Sequence, residues 1–202
     1  MDNSKVKIES TFKFIIIGDP YVGKSNIIYR FTKNLFSEEY NSTLNLDFTY
    51  KNIAINNKIY RAQLWDTAGQ QQFQSITRGY FKNSDCAILV YDITIRDTFN
   101  NIENWLERCK NDVNNNASFI LVGNKEDLKD NRNISYDEGE EFATRNGMLF
   151  FETSAKTGKN IEEMFNKAVE SIVRKKENID NNNNGKNIKI DNQNPKKKKK
   201  CC

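Results

Sequence analysis

Histidine is absent from all 202 residues, so no metal site can be built on imidazole. Cysteine is scarce as well: Cys86, Cys109, Cys201 and Cys202 stand at no spacing that suggests zinc. Cys86 falls in an apolar, strand-like run and Cys109 in a helix-like pattern, where a reduced thiol packs as a small hydrophobe. No apolar run approaches a membrane span, and Met1 to Glu9 is polar rather than a secretory leader. The expectation is a reducing compartment, the cytosol. Most of the chain also lacks an excess of charge. The formal charge is +4, but the last 25 residues hold seven Lys and two Asp, so residues 1–177 carry 24 basic against 25 acidic side chains. That balance argues against nucleic acid as a partner of the folded body. The length suits one domain with one site.

What the chain does have is Gly18-Asp19-Pro20-Tyr21-Val22-Gly23-Lys24-Ser25, directly after the apolar run Phe12 to Ile17 and before Ile27 to Phe31. Strand, glycine loop, lysine and helix in that order form a phosphate-binding P-loop. Backbone N–H groups at the positive end of a helix make a nest for clustered negative charge. Gly23 lets the backbone approach the phosphates, Lys24 can reach the β and γ phosphates, and the Ser25 hydroxyl can ligate Mg²⁺. A glycine-rich turn that binds nothing is the plain alternative.

Two alternating segments, Phe48 to Ile55 and Ile59 to Trp65, flank Asn56-Asn57 and read as a hairpin. Cys86 to Tyr91 and Phe119 to Val122 are continuous apolar runs, suited to parallel strands buried on both faces. Helical patterns cover Asp97 to Val113, Tyr136 to Arg145 and Ile161 to Lys176, with a short strand at Met148 to Glu152. Ser135 with Glu138, and Asn160 with Glu163, carry N-terminal capping side chains. Thr32 to Asn45 is too irregular for a regular element. Strands alternating with helices give an α/β fold whose ligands bind at the carboxyl ends of the strands. From Asn178 the sequence turns Asn-rich and weakly hydrophobic, so residues 178–202 read as a disordered tail, either a linker or mere compositional drift.

The remaining motifs fall at strand ends. Asp66, in Trp65-Asp66-Thr67-Ala68-Gly69-Gln70, can hold Mg²⁺ through water; Gly69 can bring its N–H near a γ-phosphate and Gln70 can orient an attacking water. In Asn124-Lys125-Glu126-Asp127, a carboxylate can accept hydrogen bonds from the N1 and N2 donors of guanine, which adenine lacks. Ser154-Ala155-Lys156 offers a backbone N–H to guanine O6.

On these motifs, over about residues 11–176, the chain resembles the Ras-like small GTPases and among them the Rab family. Ser25-Asn26, Arg30-Phe31-Thr32 and Ala62-Gln63-Leu64-Trp65 look most like Rabs of recycling endosomes. The resemblance implies a P-loop NTPase G domain over 11–177, with a mostly parallel six-stranded sheet, one antiparallel hairpin strand and helices on both faces, after a flexible segment 1–10. It implies a GTP/GDP switch in vesicle and membrane trafficking, with GTP hydrolysis assisted by Gln70, Lys24 and Thr43. The nucleotide site would comprise Gly18, Asp19, Pro20, Tyr21, Val22, Gly23, Lys24, Ser25, Asn26, Phe36, Thr43, Asp66, Gly69, Asn124, Lys125, Asp127, Ser154, Ala155 and Lys156. Ser25, Thr43 and Asp66 would hold Mg²⁺, and Phe36 would stack on guanine. Effectors would read Tyr40, Asn41, Ser42, Thr43, Leu44, Asn45, Leu46, Asp47 and Phe48, with Trp65 and Tyr80 completing an aromatic triad; ordinary core packing is the alternative for these aromatics. An exchange factor, a GTPase-activating protein, a GDP dissociation inhibitor and effectors are the implied partners of a monomer.

The chain departs from the family at Pro20, Tyr21, Asn45 and Gln71-Gln72. Pro20 has no N–H and a fixed φ, so it removes one phosphate donor, and Tyr21 adds bulk beside the phosphates. Slow or altered intrinsic hydrolysis is expected; a membrane scaffold with little or no hydrolysis is the runner-up, and an ATP-using kinase fails on Asp127. Lys196 to Lys200 precede Cys201-Cys202 without a CaaX signal. The pair resembles the Rab signal for two geranylgeranyl groups, which would anchor the protein on the cytoplasmic face of an intracellular or plasma membrane, with a cytosolic pool.

Overall fold

The computed structural model describes residues 7–38, 47–66, 79 and 81–187, with side chains up to residue 179 and with Asp47 described by its backbone alone. Six strands form one sheet in the order β2-β3-β1-β4-β5-β6. They are β1 (Ile8–Gly18), β2 (Asp47–Ile55), β3 (Lys58–Asp66), β4 (Cys86–Asp92), β5 (Ser118–Asn124) and β6 (Leu149–Glu152). The hairpin pair β2/β3 is antiparallel, and β3, β1, β4, β5 and β6 run parallel. Asn56 and Asn57 make its turn at φ 50 and 61, the paired left-handed geometry that matches strand twist.

The apolar runs explain why the middle of the sheet is covered twice. Along β1, Phe14 and Ile16 enter one core cluster with Ile27, Phe31 and Phe165, while Ile15 and Ile17 enter a second with Leu106, Cys109 and Ala143. Strand β4 splits the same way, Cys86, Ile88 and Val90 to the first face and Ala87, Leu89 and Tyr91 to the second. Each fully buried Ile or Leu contributes about 1.5–3 kcal/mol. The covering helices are α1 (Lys24–Lys33), α2 (Arg96–Asn100), α3 (Ile102–Lys110), α4 (Tyr136–Arg145) and α5 (Ile161–Asn187). Both Cys86 and Cys109 are buried free thiols; burial pushes Cys86 up and Cys109 to about 12, which suppresses the reactive thiolate.

Several boundaries differ from the sequence reading. Strand β1 begins at Ile8, inside the segment expected to be flexible, where Ile8 pairs with Ile59. Helix α1 runs to Lys33 and stops at Asn34, at φ 55. The pattern from Asp97 breaks at Asn101 into α2 and α3. Asn160 does not adopt a helix N-cap backbone: it is left-handed at φ 58 and its amide donates to the Glu152 carbonyl at 2.7 Å. Beyond Asn178, where disorder was expected, α5 continues to Asn187. An established helix propagates through residues that would not nucleate one.

The Ser135 cap is as expected. Its hydroxyl accepts from the Glu138 N–H at 3.2 Å, and its own N–H donates to Glu138 Oε2 at 3.1 Å. Arg96 Nη1 also donates to Glu138 Oε1 at 2.6 Å. These bonds, that from Arg96 foremost, hold the Glu138 carboxyl at about 2. The stabilisation is therefore complete above about 4.5 and disappears as pH falls from there towards 2. Glu138 is 44 % exposed, so screening by water keeps the expected cost of Glu138→Gln to about 1 kcal/mol at pH 7. Urea unfolding of both proteins checks this: the gap should close towards pH 2, and a gap independent of pH would contradict it.

Candidate functional site at the carboxyl edge of the sheet

Parallel register sets Gly18 beside Val90, Asp92 beside Asn124 and Gly123 beside Glu152. The loops after β1, β3, β5 and β6 consequently leave the sheet at one edge. Asp66, paired with Ile16, ends β3 there as a buried carboxylate.

Two glycines make the loop after β1 possible. At Gly18 (φ 142) an added Cβ would stand 2.2 Å from the Val90 carbonyl oxygen, and at Gly23 (φ 96) 2.4 Å from Asn124 Nδ2. Neither position admits a side chain, so α1 starts close against β5. Lys24 opens α1 with its ammonium buried, donating to the carbonyls of Gly18 at 3.0 Å and Asp19 at 2.7 Å. Burial lowers its pKa to about 8, against the opposing pull of Asp66 and Asp19. The third N–H of that ammonium can serve an anion. Pro20 is half-buried; Tyr21 holds φ 67 and is 64 % exposed. A bulky residue in left-handed geometry is strained by roughly 1–3 kcal/mol.

Asn124 joins three loops. Its Nδ2 donates to the Val22 carbonyl at 2.8 Å, and its Oδ1 accepts from Thr153 Oγ1 and the Ala155 N–H, each at 3.2 Å. The residue therefore fixes the P-loop relative to the turn after β6. Asp127 lies on the short 3₁₀ segment Glu126–Asn131, where Ser154 Oγ donates to its Oδ1 at 2.5 Å. Its second oxygen receives no hydrogen bond from the described residues, which leaves acceptor capacity at this edge. Lys125, left-handed at φ 68, turns its ammonium to the buried Asp92 at 2.6 Å. Lys156 pairs with Glu38 at 3.1 Å, and Ser25 is half-buried on the first turn of α1.

Phe36 is half-buried against the cluster that includes Ala155. Asn26 pins the segment carrying it, donating to the Ser37 carbonyl at 3.1 Å and accepting from the Ser37 N–H at 3.2 Å. On the hairpin, Phe48 and Trp65 are cross-strand neighbours with ring centroids 5.2 Å apart. Phe48 is exposed, whereas Trp65 packs against the second core cluster. Tyr40, Asn41, Ser42, Thr43, Leu44, Asn45, Leu46, Gly69, Gln70, Tyr80, Cys201 and Cys202 lie outside the described residues.

The structure adds supporting contacts that carried no sequence signal. Arg30 reaches from α1 to the turn after β6, donating to the carbonyls of Ala155 at 2.9 Å and Lys156 at 2.6 Å. Asp92, Thr153, Asn101 and Trp105 also support the loops. Apart from Thr153, which directly precedes Ser154-Ala155-Lys156, none lies beside the motif it serves, so the folded topology reveals them. For a cation, the available protein donors are hard oxygens, Ser25 and Asp66. No group of three or more His, Cys, Asp or Glu that could hold a metal exists among the described residues. That set fits an ion that takes few protein ligands and keeps water and phosphate, as Mg²⁺ does.

The family model for the Ras family matches residues 13–174. The chain is also 44 % identical over 176 residues to the Ras-related protein Rab-2B of Dictyostelium discoideum, an alignment covering 87 % of each chain.

Proposed function

This chain belongs to the Ras family of small GTPases, as a Rab, and on that premise we propose how its residues work the switch. As a Rab-like GTPase it binds guanine nucleotide, hydrolyses GTP and engages regulators and effectors in vesicle trafficking. The observation that supports the residue assignment best is Asn124, whose amide bonds P-loop, guanine loop and final turn into one unit. Asp127 recognises guanine through its N1 and N2 donors, with Ser154 orienting the carboxylate and a backbone N–H of the Ser154–Lys156 turn meeting guanine O6. Lys24 and the loop N–H groups hold the phosphates, while Asn26 keeps Phe36 beside the base. Ser25, Asp66 and Thr43 would hold Mg²⁺, which would supply neutralisation of phosphate charge. Lys125 acts from its ion pair with Asp92, stiffening the guanine loop.

Hydrolysis depends on placing a water, the role assigned to Gln70, with Gly69 and Thr43 sensing the γ-phosphate. Gln70→Leu should slow single-turnover phosphate release on the order of 10²-fold, the cost of a misplaced reactant. An unchanged rate would remove Gln70 from the mechanism. Pro20, without an N–H, and Tyr21, strained and exposed, make the native rate slower than that of a Rab with small residues there. Equal single-turnover rates for this chain and a Pro20→Ser, Tyr21→Gly variant measured side by side would contradict that.

The protein acts as a monomer whose effector surface is the segment from Tyr40 to Phe48 with Trp65 and Tyr80; Asn45 and Gln71 alter which effectors and exchange factors it accepts. An activating protein and a GDP dissociation inhibitor complete its cycle. Among the described residues no helix is long and apolar enough to cross a membrane. Cys201 and Cys202 carry two prenyl groups, and each of Lys196 to Lys200 adds about 1 kcal/mol at an anionic leaflet. The G domain of residues 11–177 thus works at the cytoplasmic face, tethered by residues 178–202 and exchanging with a cytosolic pool. Replacing Cys201 and Cys202 together by serine should move the protein from the membrane to the soluble fraction of cells; persistent membrane binding would refute the anchor.

A further inference from the structure

Asp19 sits inside the P-loop, and its carboxylate accepts from a pair of side-chain donors distant in sequence. Asn101 Nδ2 donates to Oδ2 at 2.7 Å, and Trp105 Nε1 donates to Oδ1 at 2.8 Å. The backbone carbonyl of the same residue accepts from Lys24 Nζ at 2.7 Å. Asp19 therefore connects the buried lysine to Asn101 and to Trp105 of α3, 82 and 86 residues away in sequence.

The donors are arranged by the helix itself. Asn101 stands between α2 and α3, its N–H bonded to the Asp97 carbonyl at 3.0 Å and its carbonyl accepting from the Trp105 N–H at 3.1 Å. Four residues apart in helical geometry, the two side chains share a face, so one carboxylate can take both. Trp105 packs partly buried against the core cluster beneath β4, with the Arg108 guanidinium 5.5 Å from its ring centroid. The donor is therefore carried by a ring seated in the body of the domain. Both bonds join a neutral N–H to an anion, the stronger kind of hydrogen bond. Like charges a few ångströms apart in a partly buried site repel strongly. A carboxylate released from α3 would bring a negative charge to the phosphates and free the Lys24 acceptor to move.

We infer that Asn101 and Trp105 are positioning residues for the nucleotide: acting through Asp19, they hold the P-loop and Lys24 in the phosphate-binding arrangement and so set how long guanine nucleotide is retained. The inference rests on the P-loop reading of Gly18 to Ser25. It extends the working site across the sheet edge to a helix face.

The test is release of fluorescent GDP from the full chain in Mg²⁺ buffer. Lys24→Met runs in parallel: its loss of binding upholds the P-loop reading whatever the other variants do. Trp105→Phe keeps the ring and removes the donor; Asn101→Ala keeps the helix and removes the other. Each should release GDP three- to tenfold faster. Asn101→Asp sets one carboxylate against another and should accelerate release at least tenfold. Adding Asp19→Asn to Asn101→Asp should bring the rate back to within threefold of the native protein. The new amide then donates to Asp at 101 and accepts from Trp105. Preference for GDP over inosine diphosphate, governed by Asp127, should not change in any of these variants, whereas general loosening of the fold would erode it. Single-variant rates within twofold of native, a double variant no better than Asn101→Asp, or preference falling together with affinity would each overturn the proposal.

Discussion

Asp127→Ala should weaken GDP and GTP on the order of 10² to 10⁴-fold while leaving the protein folded. Two hydrogen bonds from guanine N1 and N2 to a carboxylate are worth about 1.5–3 kcal/mol each, and alanine leaves both base donors without a partner. The side chain is half-buried, and among the described residues Ser154 is its one hydrogen-bond donor, so the fold loses little by truncation. Asp127→Asn sharpens the test. Its amide turns an acceptor into a donor, which suits a base with a carbonyl at C2, and xanthosine diphosphate should gain what GDP loses. Competition against fluorescent GDP measures both. Wild-type GDP affinity in Asp127→Ala would remove this residue from base recognition.

The second large effect is expected at Lys24. In the described structure two of its donors serve the Gly18 and Asp19 carbonyls, and burial already penalises the charged form. Lys24→Met relieves that desolvation and loses those two bonds, terms of opposite sign, so stability without nucleotide should change little. Nucleotide affinity has no such offset and should fall on the order of 10³-fold, since charge-assisted bonds to phosphate vanish. Thermal unfolding separates the two effects, because a ligand stabilises in proportion to the logarithm of its concentration over Kd. At GDP concentrations that raise the native melting temperature, Lys24→Met should show no rise. An undiminished rise would mean that the phosphates are held elsewhere.

What could be read from the sequence was whatever is encoded by neighbours. The glycines at 18 and 23 announce a loop because each holds a positive φ, 142 and 96, that side chains rarely adopt, and the runs Phe12 to Ile17 and Cys86 to Tyr91 announce strands buried on both faces. The Ser135 cap needs only four consecutive residues and is formed as read. Asn160 fails by the same logic: its pattern with Glu163 is locally plausible, but the carbonyl of Glu152 claims its amide. Lys125 likewise takes its partner, Asp92, from the adjacent strand. The partners of Arg30, Asn101 and Trp105 gave no signal, since the fold brings them together from distant parts of the sequence. From Asn178 to Asn187 the preceding turns of α5 supply the helical nucleus that an Asn-rich segment lacks.

The central claim is a GTP-hydrolysing switch selective for guanine, and phosphate release by the purified full chain tests it most directly. With Mg²⁺ and excess nucleotide, GTP should yield phosphate over successive turnovers with GDP found in the site, and ATP should neither bind nor turn over. Equal release from ATP, or tight GTP binding with no phosphate released, would contradict the account.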